Sequence, residues 1–315
     1  MGQSSIDSSP FNPQTPIAAA LIFHPSSLPL SSLSFQLPNS IVMRAQAENE
    51  MHADEGEIEI RECTTVEEFD GCVRLQREVF GGPDINISPR KYLIMARRAG
   101  GWTLGAFVGA ELVGFVHLNV AVRGEREIIG YSHMMAVDAA YQNRGVGARL
   151  KWAQRERALR EGKSYITWTW EPMRARNAHF NLNRLGATVR SYGVNFYGPE
   201  DRTWGESAAL DGGIDSDRLF ADWQLDSARV VALAHVESTQ GTAAASAAPA
   251  PPPVRTIEIP PDWSALVKRD APAARREQLR VREEFLSAFA AGLVCARFER
   301  DPEHPRYLLY ESQTG

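Results

Sequence analysis

Hydrophobic and polar positions change period several times along the chain, and each change marks an element. Glu57-Ile58-Glu59-Ile60-Arg61 alternates like an edge strand. Thr64-Thr65-Val66-Glu67-Glu68 then carries the spacing of a capping box, opening a helix that should run to about Phe80, where Gly81-Gly82-Pro83 stops it. Ser88-Pro89 reads as a second N-cap and first-turn pair, leading a helix through Tyr92, Ile94 and Met95 that Gly100-Gly101 ends. Trp102–Val108 and Glu111–Val122, parted by Gly109-Ala110, read as a hairpin, and Arg123-Gly124-Glu125-Arg126 turns the chain into a third strand, Glu127 to Val137. A helix from about Gly145 to Glu161, a strand Tyr165–Trp170, a helix from about Arg174 to Leu185 and a strand Ala187–Tyr197 follow. The order β-α-α-β-β-β-α-β-α-β predicts an α/β (α+β) fold, a mixed sheet with helices packed on it.

Outside this stretch the patterns are weaker. Arg218–Trp223 and Val254–Ile259 are short enough to be extra strands; an amphipathic helix runs from about Arg275 to Ala291, and Arg306–Tyr310 is a further strand candidate. Between them lies an Ala/Pro-rich loop, 239–253, whose last eleven residues are only Ala, Pro and Ser. The expected organisation is a core over 57–200 and an extension over 201–315 that docks on it, since alone the extension is too small to hold a core. Residues 1–50 hold ten Ser and six Pro against four charges and show no period, which predicts disorder, or translation starting at Met43 or Met51. The apolar run within Pro16–Phe23 has no basic residue before it and fits no leader peptide.

Charge and cysteines narrow the classes. A net charge of −5 without a long basic run offers little attraction to nucleic acid or an anionic membrane surface, and no stretch approaches the length of a spanning helix. Cys63, Cys72 and Cys295 are odd in number and lack a C-x-x-C arrangement, so neither a disulfide scaffold nor a zinc site is expected. A cytoplasmic protein without a metal fits best.

The stretch richest in chemistry is Met135 to Ala148. A strand ends, a loop carrying Gln142-x-x-Gly145-x-Gly147 follows, and a helix begins, so backbone N–H groups and the positive helix end make an anion cradle. A dinucleotide fingerprint would need glycine at Leu150, and a phosphate-binding P-loop would need Gly-Lys-Ser/Thr. Taken alone, a plain turn explains the loop equally well.

With its surroundings, the loop resembles the pyrophosphate signature of the GNAT superfamily of acyl-CoA-dependent N-acyltransferases. The bulged strand Met134 to Val137 precedes it, and Asn177 and Leu185-Gly186 follow at the family's spacing, the resemblance covering roughly Ile58 to Tyr197. It implies that strands Ile128–Val137 and Tyr165–Trp170 splay apart around the pantetheine of acetyl-CoA or another acyl-CoA. It places CoA contacts at Met135, Val137, Gln142, Arg144, Gly145, Gly147, Ala148 and Asn177. Transfer then needs a backbone N–H near Met135 or Val137 for the oxyanion and a base for the amine. Candidates for the base are Glu171, at a strand end bordering the opening, and His133, taken to share a face with Met135; the plain alternatives are a surface carboxylate and a core histidine.

One position departs from the family. Where many members carry the tyrosine that protonates the departing sulfur, this chain has Leu182, and His179, Tyr192 or Tyr197 would have to substitute. Trp168 and Trp170 read as sheet packing or as acceptor contacts, and Arg174 and Arg176 as solvated charges or carboxylate partners. The cysteines are remote from the acyl site and give no support for a covalent route. The resemblance points to direct transfer of an acetyl or succinyl group to a small primary amine, an amino acid being the specific expectation from a bacterial branch with links to amino-acid N-acylation. A catalytically inactive acyl-CoA-binding sensor is the alternative. The extension either covers the acceptor site or forms a homodimer seam.

Overall fold

The computed structural model describes residues 57–81, 84–198, 214–238 and 251–312. The expectations for residues 1–50, and for most of loop 239–253, lie outside the described residues. The described elements are β1 (Ile58–Glu62), α1 (Val66–Phe80), α2 (Arg90–Arg98), β2 (Trp102–Val108), β3 (Glu111–Arg123), β4 (Glu127–Val137), α3 (Val146–Arg160), β5 (Tyr165–Trp170), α4 (Ala175–His179) and β6 (Thr188–Gly193). Beyond these come β7 (Arg218–Gln224), α5 (Ala228–Ser238), β8 (Arg255–Glu258), α6 (Trp263–Arg269), α7 (Ala271–Ala290), β9 (Leu293–Glu299) and β10 (Arg306–Glu311).

All ten strands form one sheet in the order β1-β2-β3-β4-β5-β7-β6-β9-β10-β8. Among the described residues only β4 and β5 pair in parallel; the other neighbours are antiparallel. Strand β7 inserts between β5 and β6, so residues on both sides of position 200 share the sheet.

Local chemistry sets the boundaries. Thr65 caps α1 with Glu68 reaching back to complete the capping box. The Ser88-Pro89 expectation needs correction: Pro89 occupies the N-cap of α2 without a side-chain bond, and helix begins at Arg90. Ser88 is otherwise engaged, its backbone N–H and C=O both bonded to the Gln76 side-chain amide. The helix expected from Arg174 to Leu185 changes period after His179 and continues as a π-helical turn, Phe180–Arg184. Such turns widen the helix by one residue and often sit at functional sites.

The sheet separates two apolar layers. On one face Phe69, Cys72 and Leu75 of α1 and Leu93 of α2 pack against Phe107, Phe115, Met134 and Ala136. On the other, α3 covers Val116, Leu118, Ile166, Trp168 and Trp223, and the core continues into Phe285, Phe298 and Tyr307 of the extension. The extension also reaches the loop after β5: the Tyr307 hydroxyl donates to Pro172 O at 2.7 Å, and Arg174 donates to Ser264 Oγ at 2.7 Å. Asp217, Asp215, Arg282 and Arg275 form an ion-pair cluster beneath α7, in which Arg282 donates to Asp217 Oδ1 at 2.9 Å.

Candidate active site

Strands β4 and β5 pair through only two positions, Gly130↔Ile166 and Tyr131↔Thr167. Beyond them β4 keeps its partner β3 up to Gly114↔Val137 and β5 keeps β7 up to Trp170↔Leu219, so a fork opens between Ser132–Val137 and Trp168–Trp170. Unpaired strand edges leave backbone donors and acceptors facing that gap. At the closed end Gly130 is needed: a Cβ there would meet Leu118 Cδ1 at 2.6 Å and Ile166 Cγ1 at 2.9 Å.

β4 carries a bulge, placed one residue before the expected stretch. His117 faces Met134 and Leu118 faces Ser132, leaving His133 as the extra residue. This corrects the expectation that His133 shares a face with Met135. Met135 lies with the α3 layer, whereas His133 turns to the α1–α2 face, against the Tyr92 ring at 5.6 Å. There His133 Nε2 and the Ser88 hydroxyl lie 3.2 Å apart.

Behind it stands a second, fully buried imidazole. His117 Nδ1 contacts Thr103 Oγ1 at 2.8 Å and its Nε2 contacts Asn119 Oδ1 at 3.2 Å; the Asn119 amide donates to the Tyr92 hydroxyl at 2.5 Å. Burial, with the nearby charge His133 would carry, pushes His117 down to about 4, and burial also lowers His133. Both rings are therefore neutral near pH 7. Tyr131 and Tyr197 extend the polar rim, with the Thr169 and Tyr197 hydroxyls 3.3 Å apart and the Tyr131 hydroxyl held neutral by burial and by Tyr197.

The cradle lies at the start of α3. Gly145 is its N-cap at φ 82°, a left-handed conformation that a side chain would strain, and no side chain caps the helix. First-turn N–H groups have no intrahelical carbonyl to bind and carry the positive end of the helix dipole. Gln142 braces the loop by donating to Val137 O at 3.0 Å, and Arg176 reaches Gln142 Oε1 at 3.5 Å, bringing α4 and its exposed Asn177 to the cradle. Arg144 is exposed beside the Tyr141 ring, and Gly147 lies against Met135. Ala148 is buried with its N–H closed onto Gly145 O at 3.0 Å, so that donor is spent.

Other expected residues are placed differently. Glu171 stands at the end of β5, but its carboxylate accepts from Arg174 at 3.1 Å, and no bond joins it to the His133 cluster among the described residues. Leu182 is fully buried. The Tyr192 hydroxyl is tied to Asp217 at 2.6 Å, which with burial raises its pKa, while His179 is lowered by burial and by Arg300 and Arg184. Trp168 and Trp170 are core residues whose indole N–H groups donate to Asn181 and to Tyr307. All three cysteines are buried, and burial raises Cys295 while contact with Cys63, then burial, raises Cys72. Among the described residues no group of three His, Cys, Asp or Glu side chains could hold a metal ion, and no helix is long and apolar enough to cross a membrane. A cavity of about 710 Å³ lined by Glu62, Arg97, Trp102, Arg157 and Glu161 lies at the far end of α3 from the cradle, its carboxylates already paired.

Sequence reasoning missed Ser88, Tyr92, His117, Asn119 and Lys151. Lys151 left a signal, a cation on the apolar stripe of α3 between Leu150 and Gln154. Its Nζ is buried, donating to Ser132 Oγ at 3.0 Å and Gln154 Oε1 at 2.8 Å.

A fork in a mixed sheet thus opens beside a helix N-terminus that no side chain caps. Residues 69–186 match the Acetyltransferase (GNAT) family, whose general reaction is acyl-CoA-dependent N-acyl transfer. No curated protein sequence matches the chain. Among solved structures it is similar to the ribosomal-protein-S18-alanine N-acetyltransferase of Escherichia coli, at 13% identity and a TM-score of 0.42 over 55% of this chain and 96% of that one. It is also similar to a GNAT-family acetyltransferase from Streptococcus pneumoniae, at 18% identity and a TM-score of 0.42 over 53% and 98% of the two chains. A third is a GNAT-family acetyltransferase from Elizabethkingia anophelis with acetyl-CoA bound, at 15% identity and a TM-score of 0.38 over 53% and 97%.

Proposed function

We propose that the protein transfers an acetyl or succinyl group from CoA to the primary amine of a small molecule, with an amino acid as the acceptor class, by direct attack and in the cytoplasm. The observation that carries the reading is the fork beside the α3 cradle, with a neutral imidazole at its bulge. The diphosphate of CoA binds the first-turn N–H groups near Gly145 and Gly147, with Arg144, Gln142 and Asn177 around it. The pantetheine runs along the free edge of β4 at Met135 and Val137, and a backbone N–H of that edge takes the oxyanion.

His133 is the base. With Nε2–H donating to Ser88 Oγ, Nδ1 has no partner among the described residues and accepts the proton of the attacking amine. Glu171, paired with Arg174, positions the rim instead. The extension braces this rim through Tyr307 and Ser264, which favours a role at the acceptor side of the fork over one in a homodimer seam.

The test is CoA thiol release by the full chain supplied with acetyl-CoA or succinyl-CoA and a panel of amino acids and other primary amines. Amine-dependent release supports the transferase. Binding of the acyl-CoA without release to any amine overturns it in favour of a sensor, the reading that the buried Leu182 favours.

A further inference from the structure

Lys151 has no part in the chemistry described so far, yet it closes the fork. Ser132 and Trp168 are the first residues past the last β4–β5 pair, and Nζ spans them, 3.0 Å from Ser132 Oγ and 3.7 Å from the centre of the Trp168 ring. The groups facing it are neutral on every side: Ser132 from β4, Gln154 from α3, Trp168 from β5 and, at 5.3 Å, the Trp223 ring from β7. The Gln154 side-chain nitrogen, in the same amide that holds Nζ, is buried with no partner, a donor that the folded chain leaves unused. A buried lysine amine without a carboxylate, beside an unused donor, is costly to keep unless a ligand answers it.

We infer that Lys151 gives the proton that the sulfur of CoA takes up as the thioester breaks. This rests on the acyl-transfer reading above. A CoA tail entering from the α3 cradle brings its thioester to the floor that Nζ forms. The amine attacks from the opposite face, where its proton passes to His133. As the C–S bond breaks, its electron pair goes to sulfur and a proton moves from Nζ to that sulfur; the lysine regains a proton from water that enters the fork once CoA has left. Acid and base thus stand on opposite faces of one sheet. Desolvation lowers the lysine well below its ordinary value, which makes it a readier proton donor, while the two indole faces favour the cation. The Trp168 indole also bonds Asn181, the neighbour of Leu182, so the amine lies one ring from where a tyrosine would act.

The experiment is the titration of thiolate absorbance of CoA bound to the full chain, in the wild type and in Lys151→Met, with the pH dependence of kcat alongside. The bound thiol should ionise about one pH unit or more below free CoA, near 8.5, and at or above the free value in Lys151→Met. Turnover of the variant should fall about 100-fold and lose its alkaline limb, with CoA affinity kept. The wild-type titration against free CoA needs no variant and stands if Lys151→Met fails to fold. Equal titrations in both proteins, or a wild-type thiol no more acidic than free CoA, overturn this inference alone. Failure to bind CoA at all overturns the acyl-transfer reading and takes this one with it.

Discussion

His117 gives the most quantitative consequence of the fold. Its imidazole is fully buried between Thr103 and Asn119, neutral in the folded chain and free to protonate when unfolded. A pKa that drops from 6.5 to about 4 on folding leaves stability untouched above 6.5, because both states are then neutral. Below 6.5 the unfolded state gains a proton that the folded state refuses, so stability falls by about 1.4 kcal/mol per pH unit, roughly 2 kcal/mol by pH 5 and about 3 kcal/mol by pH 4. His117→Gln keeps donor and acceptor groups but cannot titrate. Urea unfolding of both proteins between about pH 7.5 and pH 4.5 measures the difference directly. The variant should be less stable near neutrality and should lose less on acidification, its curve converging on the wild type by about 2 kcal/mol at pH 5. Parallel curves would refute the reasoning, because the buried ring would then be titrating as freely as an exposed one.

Other expected outcomes concern the site and its supports. His133→Ala should lower kcat by about 100-fold or more with CoA affinity kept, whereas Glu171→Gln should change kcat by less than about threefold; steady-state kinetics with a fixed acceptor separate them. Gly145→Val forces a branched side chain into φ 82°, and calorimetric titration should show CoA affinity lowered by about 1–3 kcal/mol while β4 and β5 keep their fold by circular dichroism. Asp217→Asn removes one of the two carboxylates that hold Arg282, with Asp215 remaining, and should cost about 1–3 kcal/mol in chemical denaturation.

The regular elements were legible wherever period and punctuation agreed. Trp102–Val108, Glu127–Val137 and Tyr165–Trp170 were readable to the residue because turn formers or charges bracket runs of strand formers. The Thr65–Glu68 capping box likewise marked the start of α1. Failures came where tertiary partners decide. β9 was missed because Leu293–Glu299 does not alternate cleanly, and the insertion of β7 between β5 and β6 is a long-range pairing that no local pattern encodes. In the site, the cradle was visible because glycines and a helix start lie together in sequence. The His133 face was misread because a bulge adds one residue and inverts the alternation on which the argument rested. Ser88 and Tyr92 at the start of α2, His117 on β3 and His133 on β4 meet only through packing. Glu171 looked available because Arg174, three residues on, gives no sign in sequence of which carboxylate it will bind.

The central claim is that the fork and the α3 cradle bind acyl-CoA, and thermal unfolding of the full chain with and without acetyl-CoA tests it most directly. At about 100 times its dissociation constant the ligand should add roughly 2.7 kcal/mol and raise the midpoint clearly, with the gain much reduced in Gly145→Val. An unchanged midpoint in a cooperatively folded wild type, at saturating acetyl-CoA and succinyl-CoA alike, would contradict it.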